Sequence, residues 1–417
     1  MYQKAESTVS LPSSIVIVGA GHAGCQLAFS LRQLGHAGRL VLVDAEGELP
    51  YQRPPLSKAY LTGQVDEAGL HFKPAAFYDQ HGIERLHASA EHIDRERGLV
   101  HLVDGRTLPY DHLVLASGAR TRLLDLPGAH LGRVHSLRTL ADARALRPLL
   151  PGEGGRVAVL GAGFIGLEFA AVAALHGCKV QIVELGERPM ARAVSPAVSA
   201  FFVDAHQRWG SHWHLGASLR RLDGADGRLQ QVTLASGVTL PADLLVYGIG
   251  VVPNAELAAR AGLAVDNGIE VDALLQTADP RISAIGDVAA VLAPGATRRQ
   301  RIESVQNALD QARCLAARLT GAPAPYHAWP WFWSDQGDLK LQIVGQPALC
   351  DEFVVPAGAS ARELTVLGFA AGRLAAVETV NRPAEHLCAR KGLGAGKELT
   401  PGQARQPGFD LKVWSRT

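Results

Sequence analysis

Ser14-Ile-Val-Ile-Val-Gly-Ala-Gly-His-Ala-Gly-Cys25 decides the fold. A continuous apolar run enters three glycines and leaves into the helix-like stretch Gln26 to Gln33, which reads as strand, tight turn, helix. Gly19, Gly21 and Gly24 make G-x-G-x-x-G. A second apolar strand, Arg39-Leu-Val-Leu-Val-Asp44, ends on an acid about 20 residues past the last glycine. In such a unit Gly19 permits the sharp turn and Gly21 lets the backbone approach a pyrophosphate. Gly24 lets helix and strand pack closely, while phosphate charge sits at the helix N-terminus and Asp44 holds the ribose hydroxyls.

The pattern returns in Arg156-Val-Ala-Val-Leu-Gly-Ala-Gly-Phe-Ile-Gly-Leu-Glu168, followed by helix residues Phe169 to His176 and the strand Lys179-Val-Gln-Ile-Val-Glu184. Gly161, Gly163 and Gly166 repeat the phosphate turn, and Glu184 repeats the ribose-binding acid. Its charge repels the additional phosphate of NADP and favours NAD, although Arg188, four residues on, leaves NADP open. A chain with two dinucleotide sites usually holds one ligand permanently as FAD and exchanges the other as NADH. Leu113-Val-Leu-Ala-Ser-Gly-Ala-Arg120 ends the first nucleotide unit, and Ile282-Ser-Ala-Ile-Gly-Asp-Val-Ala-Ala290 returns to it. The NAD unit is therefore inserted in the FAD unit.

The expected fold is α/β: an FAD-binding domain from residues 1–122 and 250–322, an NAD-binding domain from 123–249, and a C-terminal α+β domain from 323–417. Gly321-Ala-Pro-Ala-Pro325 reads as the linker to the last of these, and Leu339 to Val344, Ala361 to Ala370 and Arg373 to Val380 read as its strands. Length and near-average composition over 417 residues read as a soluble, globular chain of two or three domains. Its 41 basic and 40 acidic residues leave a formal charge of +1, which offers no overall field for nucleic acid or an anionic membrane. An acidic partner would need a local basic patch. Met1 to Ser14 shows neither a basic start nor an apolar core of a leader, and no apolar run reaches a bilayer span, so a cytoplasmic location is expected. The five scattered cysteines argue against a disulfide framework or a zinc site.

Over essentially its whole length the sequence resembles the FAD-dependent ferredoxin reductases of bacterial oxygenase systems, members of the glutathione-reductase-like fold. Three further stretches carry that resemblance: Pro50-Tyr-Gln-Arg-Pro-Pro-Leu-Ser-Lys-Ala-Tyr-Leu61, Arg301-Ile-Glu-Ser-Val-Gln-Asn-Ala308 and Pro330-Trp-Phe-Trp-Ser-Asp-Gln336. The resemblance implies that Arg53 and Pro54 lie along FAD, that Lys58 stands near flavin N5, and that Glu168 pairs with it. A cation beside N5 stabilises negative charge arriving there, and a buried lysine needs an anionic partner. By the same resemblance Asp287 bonds the ribityl chain, and a helix opening at Ser304 and Val305 aims its N-terminus at the flavin. Ala116, Arg120 and Trp331 complete the FAD contacts; Phe164, Ile165 and Gly250 join the NAD contacts. Trp331 and Trp333 stand either on an electron exit path or in packing.

No cysteine occurs between Glu46 and Leu61, where disulfide-reducing relatives carry a redox cysteine, and Cys25 reads as a packed small side chain. Electrons are then expected to leave the flavin directly. The implied acceptor is a transient, acidic 2Fe-2S ferredoxin serving a haem monooxygenase or a ring-hydroxylating dioxygenase, with the reductase a monomer or weak homodimer. A rubredoxin, a quinone or oxygen is the alternative acceptor, and a flavoprotein used as a binding or signalling module is a third class, opposed by the retained Lys58 and Glu168. His206, His212 and His214, near Trp209 and Trp213, fit no metal spacing and read as surface histidines. Arg298, Arg299 and Arg301 read either as a docking patch for an acidic partner or as solvated loop charges, with Arg301 inside the flavin motif.

Overall fold

The structure is a computed structural model, and it describes residues 11–293 and 296–416. The expectation about Met1 to Ser14 falls mostly outside them. Among the described residues no helix is long and apolar enough to cross a membrane.

One compact unit is formed by the chain up to Gln52, by His71–Arg120 and by Val252–Ala328. Its centre is a parallel sheet with strand order Ile282–Ala284, His112–Leu115, Ser14–Val18, Arg39–Asp44, Ile83–His87. A parallel sheet covered on both faces demands unbroken apolar strands. Ile15, Val16 and Ile17 accordingly have no exposed surface, and Leu40, Val41, Leu42 and Val43 have almost none. The strand Ile282–Ala284 pairs with His112–Leu115 although the second nucleotide motif lies between them in sequence. Helix His22–Gln33 packs against helix Val305–Leu319, and an antiparallel ribbon of Ala90–Asp94, Leu99–Leu102 and Thr107–Pro109 completes the unit.

The second unit comprises Arg53–Leu70, Thr121–Val251 and Trp329–Thr417. Its parallel sheet runs His212–Leu215, Lys179–Glu184, Arg156–Leu160, Leu244–Tyr247, Val134–His135. A separate antiparallel sheet follows, in the order Trp331–Gln336, Leu339–Gly345, Arg373–Val380, Leu364–Ala370, Glu352–Val354. Helices Pro383–Gly394 and Leu411–Arg416 lie against each other, and the first packs on this sheet. Grouped by motif, Arg53–Leu70 belongs with the first nucleotide unit; by packing it belongs with the second, where its short helical turn Pro54–Ser57 rests on helix Phe164–Leu175.

Both motif helices begin earlier than their apolar pattern suggests. The first starts at His22 rather than Gln26, and the second at Phe164 rather than Phe169. The opening turn His22-Ala-Gly-Cys25 carries little periodic signal, and that of the second helix, Phe164-Ile-Gly-Leu-Glu168, contains a motif glycine, so both starts are set by the glycine geometry rather than by amphipathicity.

Candidate active site

In the first unit the strand Ser14–Val18 ends at Gly19, whose N–H donates to Val43 O at 2.8 Å. Gly19 has φ +111°, and a Cβ there would collide with the Ala116 carbonyl oxygen. A Cβ at Gly24 would collide with Gly19 O. Packing thus requires both outer glycines. Gly21 differs, because a Cβ there would meet no protein atom within 4 Å. Its lack of a side chain has no explanation in the packing of the chain, and it fits a turn that a phosphate approaches closely. Asp44 closes the neighbouring strand and accepts from Gly47 N at 3.0 Å.

The second unit repeats this geometry residue for residue. Gly161 donates to Val183 O at 2.8 Å and has φ +94°; a Cβ on it would press into Gly248 O, and one on Gly166 into Gly161 O. Gly163, like Gly21, would have an unobstructed Cβ. Glu184 accepts from Ala162 N at 2.6 Å and from Gly186 N at 2.7 Å, so the acid is held against the turn. Arg188 is occupied elsewhere, donating to Val194 O, Ser199 Oγ and Ala191 O at 2.8–2.9 Å. Ile165 is 43% exposed at the start of the helix, Phe164 packs on Phe332 with ring centroids 4.3 Å apart, and Gly250 takes φ +100° and accepts from Arg122 N at 3.0 Å. Two turns in one chain therefore offer backbone N–H groups at a helix start, a bare middle glycine and a nearby acid.

Gly286–Val288 forms a short helical turn carrying Asp287, and buried Gln311 accepts from Gly286 N at 2.7 Å. Arg301 donates to Asp287 O at 3.1 Å and pairs with Glu303 at 2.5 Å. Arg299 pairs with Glu270 at 3.2 Å. Of the basic cluster, Arg301 is thus part of the Asp287 turn, with a side chain only 10% exposed. The helix opens where expected: Ser304 is its N-cap and accepts from Asn307 N at 3.0 Å, and Val305 is its first residue. Ala116 is buried beside Gly19, while Arg120 reaches Glu256 at 2.6 Å on the surface.

Lys58 and Glu168, 110 residues apart in sequence, are in contact: Nζ lies 2.7 Å from Oε2. Glu168 is 3% exposed, so its charge must be compensated locally. Two serines absent from the expected set help to do this. Ser57 donates to Oε2 at 2.5 Å, and Ser334 donates to Oε1 at 2.8 Å. Three donors on one buried carboxylate fix its orientation as well as its charge. Ser57 adjoins Lys58, and Ser334 lies inside the Trp-Phe-Trp-Ser stretch, so both stood within motifs already marked; the signal was a hydroxyl one residue from the recognised position. Arg53 donates to Arg138 O at 2.9 Å, and Pro54 opens the turn that ends at Ser57.

Strand alternation explains where Trp331 goes. Phe332 and Ser334 face helix Phe164–Leu175, whereas Trp331 faces the other way, its ring tilted against those of Trp333 and His386 with the Arg390 guanidinium 4.4 Å from its ring centre.

The histidine reading needs correction. His212 is exposed and His214 partly so, but His206 has no exposed surface and lies between the rings of Trp209 and Trp213. It occupies the buried face of helix Pro196–Arg208, which spacing alone did not reveal. No group of His, Cys, Asp and Glu able to hold a metal occurs among the described residues. All five cysteines are free; Cys25 is buried, donates to Ala20 O at 3.1 Å, and burial pushes its thiol pKa up.

Comparison with known proteins agrees with this arrangement. Residues 13–312 match the model described as pyridine nucleotide-disulphide oxidoreductase, and residues 331–414 match that of the reductase C-terminal domain. The chain is 49% identical to rhodocoxin reductase of Rhodococcus erythropolis over 401 residues, which is 96% of this chain and 94% of that one. The solved ferredoxin reductase for the CYP199A2 system from Rhodopseudomonas palustris superposes with a TM-score of 0.94 at 48% identity, covering 97% of this chain and 100% of that one. The reductase in the covalent putidaredoxin reductase–putidaredoxin complex gives 0.92 at 37% identity, covering 96% and 98%.

Proposed function

The chain belongs to the pyridine nucleotide-disulphide oxidoreductase family, and we propose that within it the protein is an FAD-containing, NADH-dependent reductase whose electron acceptor is a ferredoxin. The observation that carries this is the pair of phosphate turns, each with two glycines that packing requires and a middle one that it does not. Gly19, Gly21, Gly24 and Asp44 would hold FAD, with Ala116, Arg120, Asp287, Ser304, Val305 and Trp331 around it. Gly161, Gly163, Gly166 and Glu184 would hold NADH, with Phe164, Ile165 and Gly250. The flavin, when bound, supplies the chemistry of accepting a hydride and releasing single electrons.

The residues of the chain do the rest. Glu168 holds the Lys58 ammonium in place, and Arg53, Pro54 and Lys58 would line the flavin; Glu184 would turn away a nucleotide carrying the additional phosphate. The domain limits follow the motifs: 1–122 with 250–322 for FAD, 123–249 for NADH, 323–417 for the C-terminal domain. With no cysteine between Glu46 and Leu61 and with Cys25 buried, no thiol relay stands between flavin and acceptor.

The acceptor is a 2Fe-2S protein with an acidic docking face that binds transiently, and it feeds a haem monooxygenase or a ring-hydroxylating dioxygenase. The reductase works in the cytoplasm as a monomer or weak homodimer. Two named relatives support the partner class, since one is a ferredoxin reductase for an oxygenase system and another was solved in complex with putidaredoxin. The test is steady-state reduction of cytochrome c by NADH with a panel of 2Fe-2S ferredoxins. Turnover that requires a ferredoxin supports the reading; equal turnover with a quinone, oxygen or rubredoxin and no ferredoxin overturns it.

A further inference from the structure

Behind Ser334 the hydrogen bonds continue into the protein. Gln336 Nε2 lies 3.4 Å from Ser334 Oγ, and Gln336 Oε1 lies 3.0 Å from His206 Nε2. Ser334, Gln336 and His206 have no exposed surface. We propose that Gln336 and His206 are positioning residues for the Lys58–Glu168 pair: they set the direction of this chain so that the Ser334 hydroxyl donates its hydrogen bond to Glu168.

The direction of the chain depends on which way the Gln336 amide points, since its oxygen accepts and its nitrogen donates. With the oxygen toward His206, Nε2–H of the imidazole donates to it. The amide nitrogen then faces Ser334 Oγ and also lies 3.8 Å from Met190 Sδ, a weak acceptor. Ser334 Oγ, accepting a hydrogen bond from Gln336 Nε2–H, has its own O–H free to donate to Glu168 Oε1 at 2.8 Å. Flipping the amide would bring its oxygen to Ser334, where it competes with Glu168 for that proton. The flip would also leave an imidazole N–H at Nδ1, which has no partner among the described residues. A buried N–H without an acceptor is the rarer and costlier defect. His206 therefore carries its proton on Nε2, and every donor in the chain points toward Glu168. Burial lowers the His206 pKa to about 4, which leaves the ring a single proton at neutral pH.

This role rests on the reading that Lys58 and Glu168 serve the flavin, and the experiment separates the two. In the holoenzyme carrying 15N-histidine, long-range proton–nitrogen NMR reads the His206 tautomer; Nε2–H is expected, and Nδ1–H overturns the proposal without any variant. In parallel, the flavin midpoint potential, the rate of flavin reduction and the NADH Kd are measured for His206→Leu, Gln336→Leu and Ser334→Ala. Each is expected to make the potential more negative and to slow reduction about tenfold, the worth of one buried hydrogen bond. The NADH Kd is expected to stay unchanged. His206→Gln, which keeps an N–H donor, is expected to restore both rate and potential. In the double variant Ser334→Ala with His206→Leu, the second change is expected to add nothing; full additivity overturns the positioning role even where Lys58→Met shifts the potential. A Lys58→Met protein with wild-type potential and rate would instead overturn the flavin reading of the pair.

Discussion

The Lys58 ammonium stands 2.7 Å from a Glu168 carboxylate that is 3% exposed and receives two serine hydroxyls besides. A surface ion pair would contribute little and would tolerate loss of either member. This one does not, because removing the cation leaves a buried anion with two neutral donors.

Lys58→Met is therefore expected to slow flavin reduction by NADH about a hundredfold, the scale of one preorganised group facing developing charge. It should also cost about 3 kcal/mol of stability. Stopped-flow reduction and denaturant unfolding measure the two effects; a wild-type rate removes the charge role of Lys58.

The glycine geometry separates folding from binding. Gly24→Ala must displace the Gly19 carbonyl, and Gly166→Ala that of Gly161, so both are expected to lower Tm and yield. Gly21→Ala and Gly163→Ala meet no protein atom and should fold normally. The first should lose FAD on gel filtration, and the second should raise the NADH Kd with FAD retained. Normal ligand affinity in both would show that the middle glycines face no phosphate.

Glu184→Arg tests the ribose assignment. The acid accepts from Ala162 and Gly186 N–H groups, so its loss should raise KM for NADH at least tenfold, equivalent to about 1.4 kcal/mol of binding, and shift preference toward NADPH. An unchanged ratio of kcat/KM for the two nucleotides would reject it.

Glu378 makes a pH prediction. It is 1% exposed, accepts from Ser195 N at 2.9 Å, and burial raises its pKa from 4.5 to about 7. The folded protein then holds this proton more tightly than the unfolded chain, so stability contributed by Glu378 falls as pH rises from 4.5 toward 7. Glu378→Gln keeps the oxygen facing Ser195 and cannot ionise. Unfolding free energies from denaturant titrations at pH 5 to 8 should approach wild type at low pH and favour the variant by about 3 kcal/mol at pH 8. Parallel curves would contradict this.

The two glycine turns, their acids and the strand at Ile282–Ala284 were legible because they answer to local backbone demands that leave sequence marks. The third domain's strands Leu339–Gly345 and Arg373–Val380 were legible from alternation and apolar content. Ser334 was not, because its role depends on a strand packing against a helix 166 residues earlier in the chain. His206 was misread for a related reason: spacing to other histidines tests for a metal site, while burial depends on which face of Pro196–Arg208 meets the rest of its unit. Trp331 was recognised as part of a motif, but only the register of its strand distinguishes the face of Ser334 from its own.

In the proposed reaction NADH reduces a flavin held by this chain and a ferredoxin then takes the electrons. Anaerobic stopped-flow absorbance of the holoenzyme measures it most directly, mixing first with NADH and then with oxidised 2Fe-2S ferredoxin. Rapid bleaching of the flavin band with NADH is expected, followed by its return as the ferredoxin is reduced. A flavin that NADH leaves oxidised, or one that stays reduced in the presence of every ferredoxin while a quinone or oxygen reoxidises it, would overturn this reaction.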